Sequence, residues 1–175
     1  GPEGTPYAHG LFEFDVRLPD DYPNSPPKVK LLTTGGGTVR FNPNLYADGK
    51  VCLSLLGTWS GPGWSPETST LLQVLVSVQA LILVEAPYFN EPGFEAGMHS
   101  AHGQAASKKY NAGVWANTVR HALLAAARSP SAVFKDVVVR HLALKRRAIL
   151  ADCDRWEQEI RANNVASGEK KKAEK

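Results

Sequence analysis

Four prolines fall within nine residues, at Pro19, Pro23, Pro26 and Pro27 in the stretch PDDYPNSPP. No other stretch restricts the fold as much. Proline fixes φ, lacks a backbone donor and pushes the residue before it out of the α region. Residues 19–27 can therefore be neither helix nor interior strand, and they read as an extended, semi-rigid connector. The pattern alternates on both sides of it. Phe12, Phe14, Val16 and Leu18 share one side of residues 11–18, and Glu13, Asp15 and Arg17 share the other. Residues 28–34 set Val29 and Leu31 against Lys28 and Lys30, and Gly35-Gly36-Gly37 ends the run. A period of two predicts half-buried strands.

Beyond the middle of the chain the period changes. Ser65-Pro66-Glu67 has the form of a helix start: a capping side chain, Pro in the first turn and an early acid. Residues 68–84 are nearly all apolar, and their polar members Thr70, Gln73 and Ser77 recur at intervals of three and four, which predicts a buried helix ending before Pro87. Residues 85–103 read as a long loop. Helical periodicity resumes at about Tyr110 and runs to Arg128, where Ser129-Pro130-Ser131 interrupts it. A last helix, Phe134 to Ile160, carries Val138, Leu142, Ile149, Cys153, Trp156 and Ile160 as one stripe, with Arg140, Arg147, Asp154 and Glu157 opposite. Strands followed by helices give an α+β class.

Composition narrows the compartment and the partners. A chain of 175 residues can bury a real core as one domain. Its two cysteines, Cys52 and Cys153, make no disulfide framework, so a reducing compartment, cytoplasmic or nuclear, is expected. The longest apolar run, 74–84, is broken by Ser77 and Gln79 and is too short to span a bilayer. The net charge is +3, and Lys170-Lys171-Lys172 supply much of it. That cluster reads as a solvated tail, so neither a nucleic-acid nor a membrane partner is expected. The only methionine is Met98, and residues 1–10 (GPEGTPYAHG) are turn-like, so the chain reads as part of a longer polypeptide.

The chemistry concentrates in residues 41–56, FNPNLYADGKVCLSLL. Asn42-Pro43-Asn44 precedes the turn Ala47-Asp48-Gly49-Lys50, and Cys52 stands eight residues past Asn44 within Val51-Cys52-Leu53. A thiol behind a glycine turn, with a side-chain amide upstream, suggests nucleophilic chemistry at sulfur. The spacing alone favours a simpler reading, a buried cysteine acting as a small hydrophobe behind an Asx turn. His9 and His99 are both more than 40 residues from Cys52, which counts against a cysteine hydrolase, although triads assemble in space. Cys153 lies on the apolar stripe and reads as packing. Trp59 and Trp64 read as structural. His99 and His102 lack further ligands in sequence, so no metal and no cofactor are expected.

This stretch resembles the ubiquitin-conjugating enzymes. Their hallmark is a His-Pro-Asn triplet whose asparagine stands eight residues before the active cysteine, with Gly and an aliphatic residue between. Here that pattern is carried by Asn42-Pro43-Asn44, Gly49, Val51, Cys52 and Leu53. Further motifs agree in order: Pro6-Tyr7 with Gly10 and Phe12, Tyr22-Pro23 with Pro26-Pro27, Trp64-Ser65-Pro66, and Pro87 with Pro92 around Glu91. Together they cover about residues 4–95. Gly57-Thr58-Trp59, the run from Pro87 to Gly93 and the last helix are similar to the large hybrid members that combine conjugating and ligase functions, the Apollon-like class. The chain departs from the usual pattern at Asn42, where most members have histidine, although the larger hybrids also have asparagine there.

The resemblance implies an α+β fold with a short antiparallel sheet packed on helices. It also implies a family N-terminal helix and first two strands that this chain lacks, leaving an open sheet edge and poor stability alone. The implied organisation is a conjugating core over 1–128, a helical extension over 129–163 and a basic disordered tail over 164–175. The implied partners are ubiquitin, its activating enzyme, and a ligase or intrinsic ligase regions of a parent protein. The implied reaction is acyl transfer: Cys52 takes ubiquitin as a thioester and a substrate lysine attacks it. A thiol with a pKa of about 8.5 can exchange thioesters without a dedicated base. Asn44 is the candidate oxyanion donor, with a turn-stabilising role as the alternative. Glu91 is the candidate acid that orients and deprotonates the lysine, with a solvated loop acid as the alternative. Asn42, Pro43, Gly49, Leu53, Tyr88 and Asn90 are expected to support the site. A non-catalytic, ubiquitin-binding or scaffolding version of the same fold is the other functional reading.

Overall fold

The computed structural model describes the backbone of residues 1–173 and the side chains of residues 1–162. The chain divides into two compact units, Gly1–Ala126 and Ala127–Lys175. In the first unit, β1 (Phe14–Arg17) pairs antiparallel with β2 (Lys28–Leu31), with Phe14 opposite Leu31 and Arg17 opposite Lys28. Both strands alternate between half-buried or buried and exposed positions, as their period of two requires. They are shorter than residues 11–18 and 28–34. Past Phe14 the pairing becomes irregular, because the Thr33 hydroxyl rather than a backbone carbonyl accepts from the Glu13 amide at 2.9 Å.

The proline stretch is not extended. It folds into successive turns, with the Tyr22 amide donating to the Pro19 carbonyl at 3.0 Å and the Asn24 amide to Asp21 at 2.7 Å. Pro19 takes the first position of one turn and Pro23 the third position of the next, and the antiparallel register forces the chain to reverse there. Trp64 closes over this turn, its ring 5.8 Å from that of Tyr22 and its Nε1 donating to the Pro23 carbonyl at 2.6 Å.

The first helix, α1 (Leu71–Ser77), continues in wider π-type turns over Val78–Ile82. It begins five residues after the expected Pro66 start. Residues 65–69 form a turn instead, and Thr70 makes the cap: its hydroxyl accepts from the Gln73 amide while the Gln73 side chain accepts from the Thr70 amide. The helix is also not buried all round. Val74, Val78 and Ile82 are buried, whereas Leu72 and Leu81 are 68% and 60% exposed.

Residues expected as one loop contain 3-10 turns at Pro87–Asn90 and Glu95–Gly97. The next helix, α2 (Ala101–Asn117), starts nine residues before Tyr110, capped by the Ser100 hydroxyl on the Gly103 amide. Residues 101–109 carry no large apolar side chain, so their helicity left no hydrophobic period to read. After further π-type turns over Thr118–Leu124 comes α3 (Ala125–Arg128).

Tyr7, Leu31, Phe41, Leu45, Val51, Leu53, Val74, Ile82 and Val114 belong to one buried cluster. Each such side chain contributes about 1.5–3 kcal/mol on leaving water. The last helix, α4 (Lys135–Ala173), runs past Ile160, and among its residues with described side chains the six stripe residues from Val138 to Ile160 are the buried or half-buried ones, together with His141 and Asp152. Burial pushes the Cys153 thiol pKa up, with Asp154 and Asp152 adding to the shift. The expected disordered tail, 164–175, lies outside the residues whose side chains are described. Among the described residues no helix is long and apolar enough to cross a membrane.

Candidate active site

The cysteine segment is anchored to the sheet through its turn. Leu45 bridges Val51, and Lys50 bridges Lys30 of β2. Within the turn the Gly49 amide donates to the Tyr46 carbonyl at 3.0 Å, and the Leu31 amide donates to the Gly49 carbonyl at 2.9 Å. Gly49 has φ 91°, and a Cβ there would lie 2.6 Å from the Leu31 carbonyl oxygen. Glycine is therefore required twice over, by conformation and by space. Asp48 completes the turn by accepting from the Lys50 amide at 2.9 Å.

Cys52 is a free thiol and only 2% exposed. Its amide donates to the Asn44 carbonyl at 2.9 Å, and its carbonyl accepts from Asn44 Nδ2 at 2.9 Å. The Asn44 side chain therefore holds the backbone of the cysteine itself. Asn44 Oδ1 is buried with no hydrogen-bond partner. Such an atom costs about 1–3 kcal/mol.

Thr58 grips the cysteine from the other side. Its hydroxyl donates to the Val51 carbonyl at 2.7 Å and accepts from the Leu53 amide at 3.0 Å. The chain thus clamps both neighbours of Cys52 with one side chain, and Leu53 is buried beneath. Thr58 had no expected role. The sequence signal was Gly57, whose left-handed φ of 66° turns the chain back after the 3-10 segment Ser54–Leu56.

Asn42 occupies the position where the family usually has histidine, and it is fully buried. Its Nδ2 donates to the Tyr7 hydroxyl at 3.0 Å and to the Ile82 carbonyl at 2.8 Å. Its Oδ1 accepts from the Asn44 amide at 2.8 Å and from Asn90 Nδ2 at 3.4 Å. Asparagine therefore supplies the structural hydrogen bonds here. Tyr7, quoted only as part of a turn motif, proves to be its partner: the phenol donates on to the Phe41 carbonyl at 2.9 Å, and burial raises its pKa far above the usual range. Asn90 also donates to the Leu81 carbonyl at 3.0 Å, joining the loop after α1 to the triplet.

The remaining expected residues form a rim. Arg40 donates to the Pro43 carbonyl at 2.7 Å, meets Glu91 Oε2 at 3.4 Å, and lies 4.3 Å over the Tyr46 ring. Tyr88 packs among Phe89, Phe94 and Tyr110. The Tyr110 hydroxyl has a raised pKa, chiefly from burial, with Arg40 lowering it and Glu91 raising it. Hydrogen bonds thus run from Cys52 through Asn44 and Asn42 to Asn90, and separately from Pro43 through Arg40 to Glu91. Among the described residues, no cluster of His, Cys, Asp and Glu gathers to hold a metal ion.

Comparison with known proteins shows the family of the chain. The family model for the ubiquitin-conjugating enzyme matches residues 1–118. The chain is 55% identical over 163 residues to the dual E2 ubiquitin-conjugating enzyme/E3 ubiquitin-protein ligase BIRC6 of Homo sapiens, covering 91% of this chain and 3% of that protein. It is 54% identical over 159 residues to probable ubiquitin-conjugating enzyme protein 17 of Caenorhabditis elegans, covering 89% of this chain and 22% of the relative. It is 56% identical over 123 residues to ubiquitin-conjugating enzyme E2 Z of Xenopus tropicalis, covering 70% and 37%. The chain thus spans a minor part of each of these relatives. With the family model matched over most of its length, the chain belongs to the ubiquitin-conjugating enzyme family.

Proposed function

We propose that this chain is the transferase domain of a ubiquitin-conjugating protein and carries ubiquitin on Cys52. In the first step the Cys52 thiolate attacks the activating enzyme's thioester, and that enzyme's thiol leaves. In the second step a lysine amine attacks the new thioester carbonyl. The C–N bond forms, the Cys52 thiolate leaves, and the amine nitrogen loses a proton. The observation that carries the reading is the clamp on Cys52, with Asn44 and Thr58 fixing its backbone from two sides.

Asn44 supports the second step as oxyanion donor. Its amide nitrogen already lies against Cys52, donating to that residue's carbonyl. Glu91 is the rim acid that orients the lysine, whose ordinary pKa is about 10.4, and takes its proton. Tyr88 and Asn90 shape the loop that presents it. The partners are ubiquitin, its activating enzyme, and a ligase or ligase regions in the parent protein. The free thiols fit a reducing cytoplasmic or nuclear setting.

A second reading, a non-catalytic ubiquitin-binding fold, draws on the burial of Cys52, because exchange needs the sulfur to reach an incoming thioester. One experiment separates the two. Incubation with ubiquitin, ATP and activating enzyme should give an adduct lost on reduction, and Cys52→Ser should convert it to a reductant-stable ester. Ubiquitin binding by Cys52→Ala without any adduct from the native protein would favour the second reading.

A further inference from the structure

Beside the Glu91 rim opens a mainly apolar cavity of about 430 Å³, lined by Arg40, Tyr88, Lys109, Tyr110, Gly113 and Asn117, with Ala106 and Val114 completing the lining. We propose that this pocket receives an acidic side chain from the acceptor, so that the favoured acceptors are lysines in acidic peptide segments. The proposal rests on the transferase reading and names the substrate class for it. Two cations, Arg40 and Lys109, enter the lining, and no carboxylate does. Tyr88 and Tyr110, with ring centroids 6.0 Å apart, give it an aromatic wall, and Asn117 adds an amide. Its volume lies in the range of small-molecule pockets, enough to admit a side chain. The Arg40 hydrogen bonds to Pro43 and Glu91 both leave from one terminal nitrogen, while a guanidinium carries five N–H donors in a planar fork suited to a carboxylate.

Position ties the pocket to the chemistry. Arg40 bonds the Pro43 carbonyl, and the next residue, Asn44, holds the Cys52 carbonyl. Glu91 pairs with the same Arg40. A peptide with its acid on Arg40 and Lys109 would therefore bring its lysine to the Glu91 side of the rim. Charge favours such a peptide as well. Arg40 and Lys50 both lie over the Tyr46 ring, at 4.3 and 5.6 Å, and Glu91 offsets one of these two charges, so a lone lysine ammonium still meets the other. An acid nearby in the same segment offsets that repulsion.

The test charges Cys52 with ubiquitin and then chases it with a short peptide whose lysine is flanked by Asp and Glu, or with its Asn and Gln counterpart. The acidic peptide should discharge the thioester about fivefold faster, the scale of one or two partly exposed ion pairs. Lys109→Glu should bring the ratio to about one. So should Gly113→Glu, at a position where an added Cβ meets nothing within 4 Å. Fluorescence anisotropy of the same labelled peptides on Cys52→Ala needs no charging. If Cys52 does not charge while acid-selective binding depends on Lys109, the transferase reading fails and the ligand class of the pocket stands. Equal discharge by the two peptides, or a preference that survives both variants, overturns the proposal.

Discussion

Asn42 is fully buried with both of its side-chain polar atoms engaged, whereas Arg40 and Glu91 meet 3.4 Å apart with 42% and 41% of their side chains exposed. One lies inside the triplet and the other beside it, and they are held by different physics. In the buried network each lost partner leaves a donor or acceptor that water cannot reach, so the geometry is rigid and substitution is costly. On the rim, water replaces any partner and screening weakens the pair, so charge there can change while the fold stays intact. In the proposed transfer a thioester would need a fixed cysteine, whereas acceptors would vary. The division of labour follows from burial.

The largest test of this contrast is Asn42→Ala. It strands the Asn44 amide and the Ile82 carbonyl inside the core, and should cost about 3–5 kcal/mol in a urea midpoint measurement. A cost below about 1 kcal/mol would show that the network is not what holds the triplet. Next comes Asn44→Ala. If its amide serves the oxyanion, discharge of the thioester to lysine should slow about 10²-fold, while charging of Cys52 falls much less. Equal losses in both steps would reduce Asn44 to a support of the Cys52 backbone. The smallest effect belongs to Glu91→Gln. Stability should move by less than about 0.5 kcal/mol, because the pair with Arg40 is exposed. Discharge should slow about tenfold, less than for a buried base, because water can also take the proton. An unchanged discharge rate across neutral pH would remove Glu91 from the chemistry.

Much of the fold was legible where a single period or residue governs an element. Phe14 and Val16 alternate against Asp15 and Arg17, and they form half of a strand pair. The stripe from Val138 to Ile160 marks the covered side of α4. Errors arose where one signal serves two structures. Proline at Pro19 and Pro23 suits a turn as well as an extended run, and the pairing of Arg17 with Lys28 chose the turn. Pro66 follows a capping residue, yet the capping box of Thr70 and Gln73 began the helix. The apolar run from Leu71 to Ile82 says nothing about which face is covered, and Leu72 and Leu81 are left in solvent.

The candidate site divides in the same way. Asn44 bonds Asn42 two residues away and Cys52 eight residues away, and Gly49 makes the turn between them. Contacts of that range follow from local chain geometry, so the sequence by itself determined the triplet, the turn and the placement of the thiol. Asn42 meets Tyr7, Ile82 and Asn90 across 35, 40 and 48 residues, and Arg40 meets Glu91 across 51. A distant partner is chosen only when the core closes and polar groups left inside must find one another. Only the tertiary structure decided that asparagine could fill the place of histidine, because only the packed core sets Tyr7 and Ile82 within reach of it.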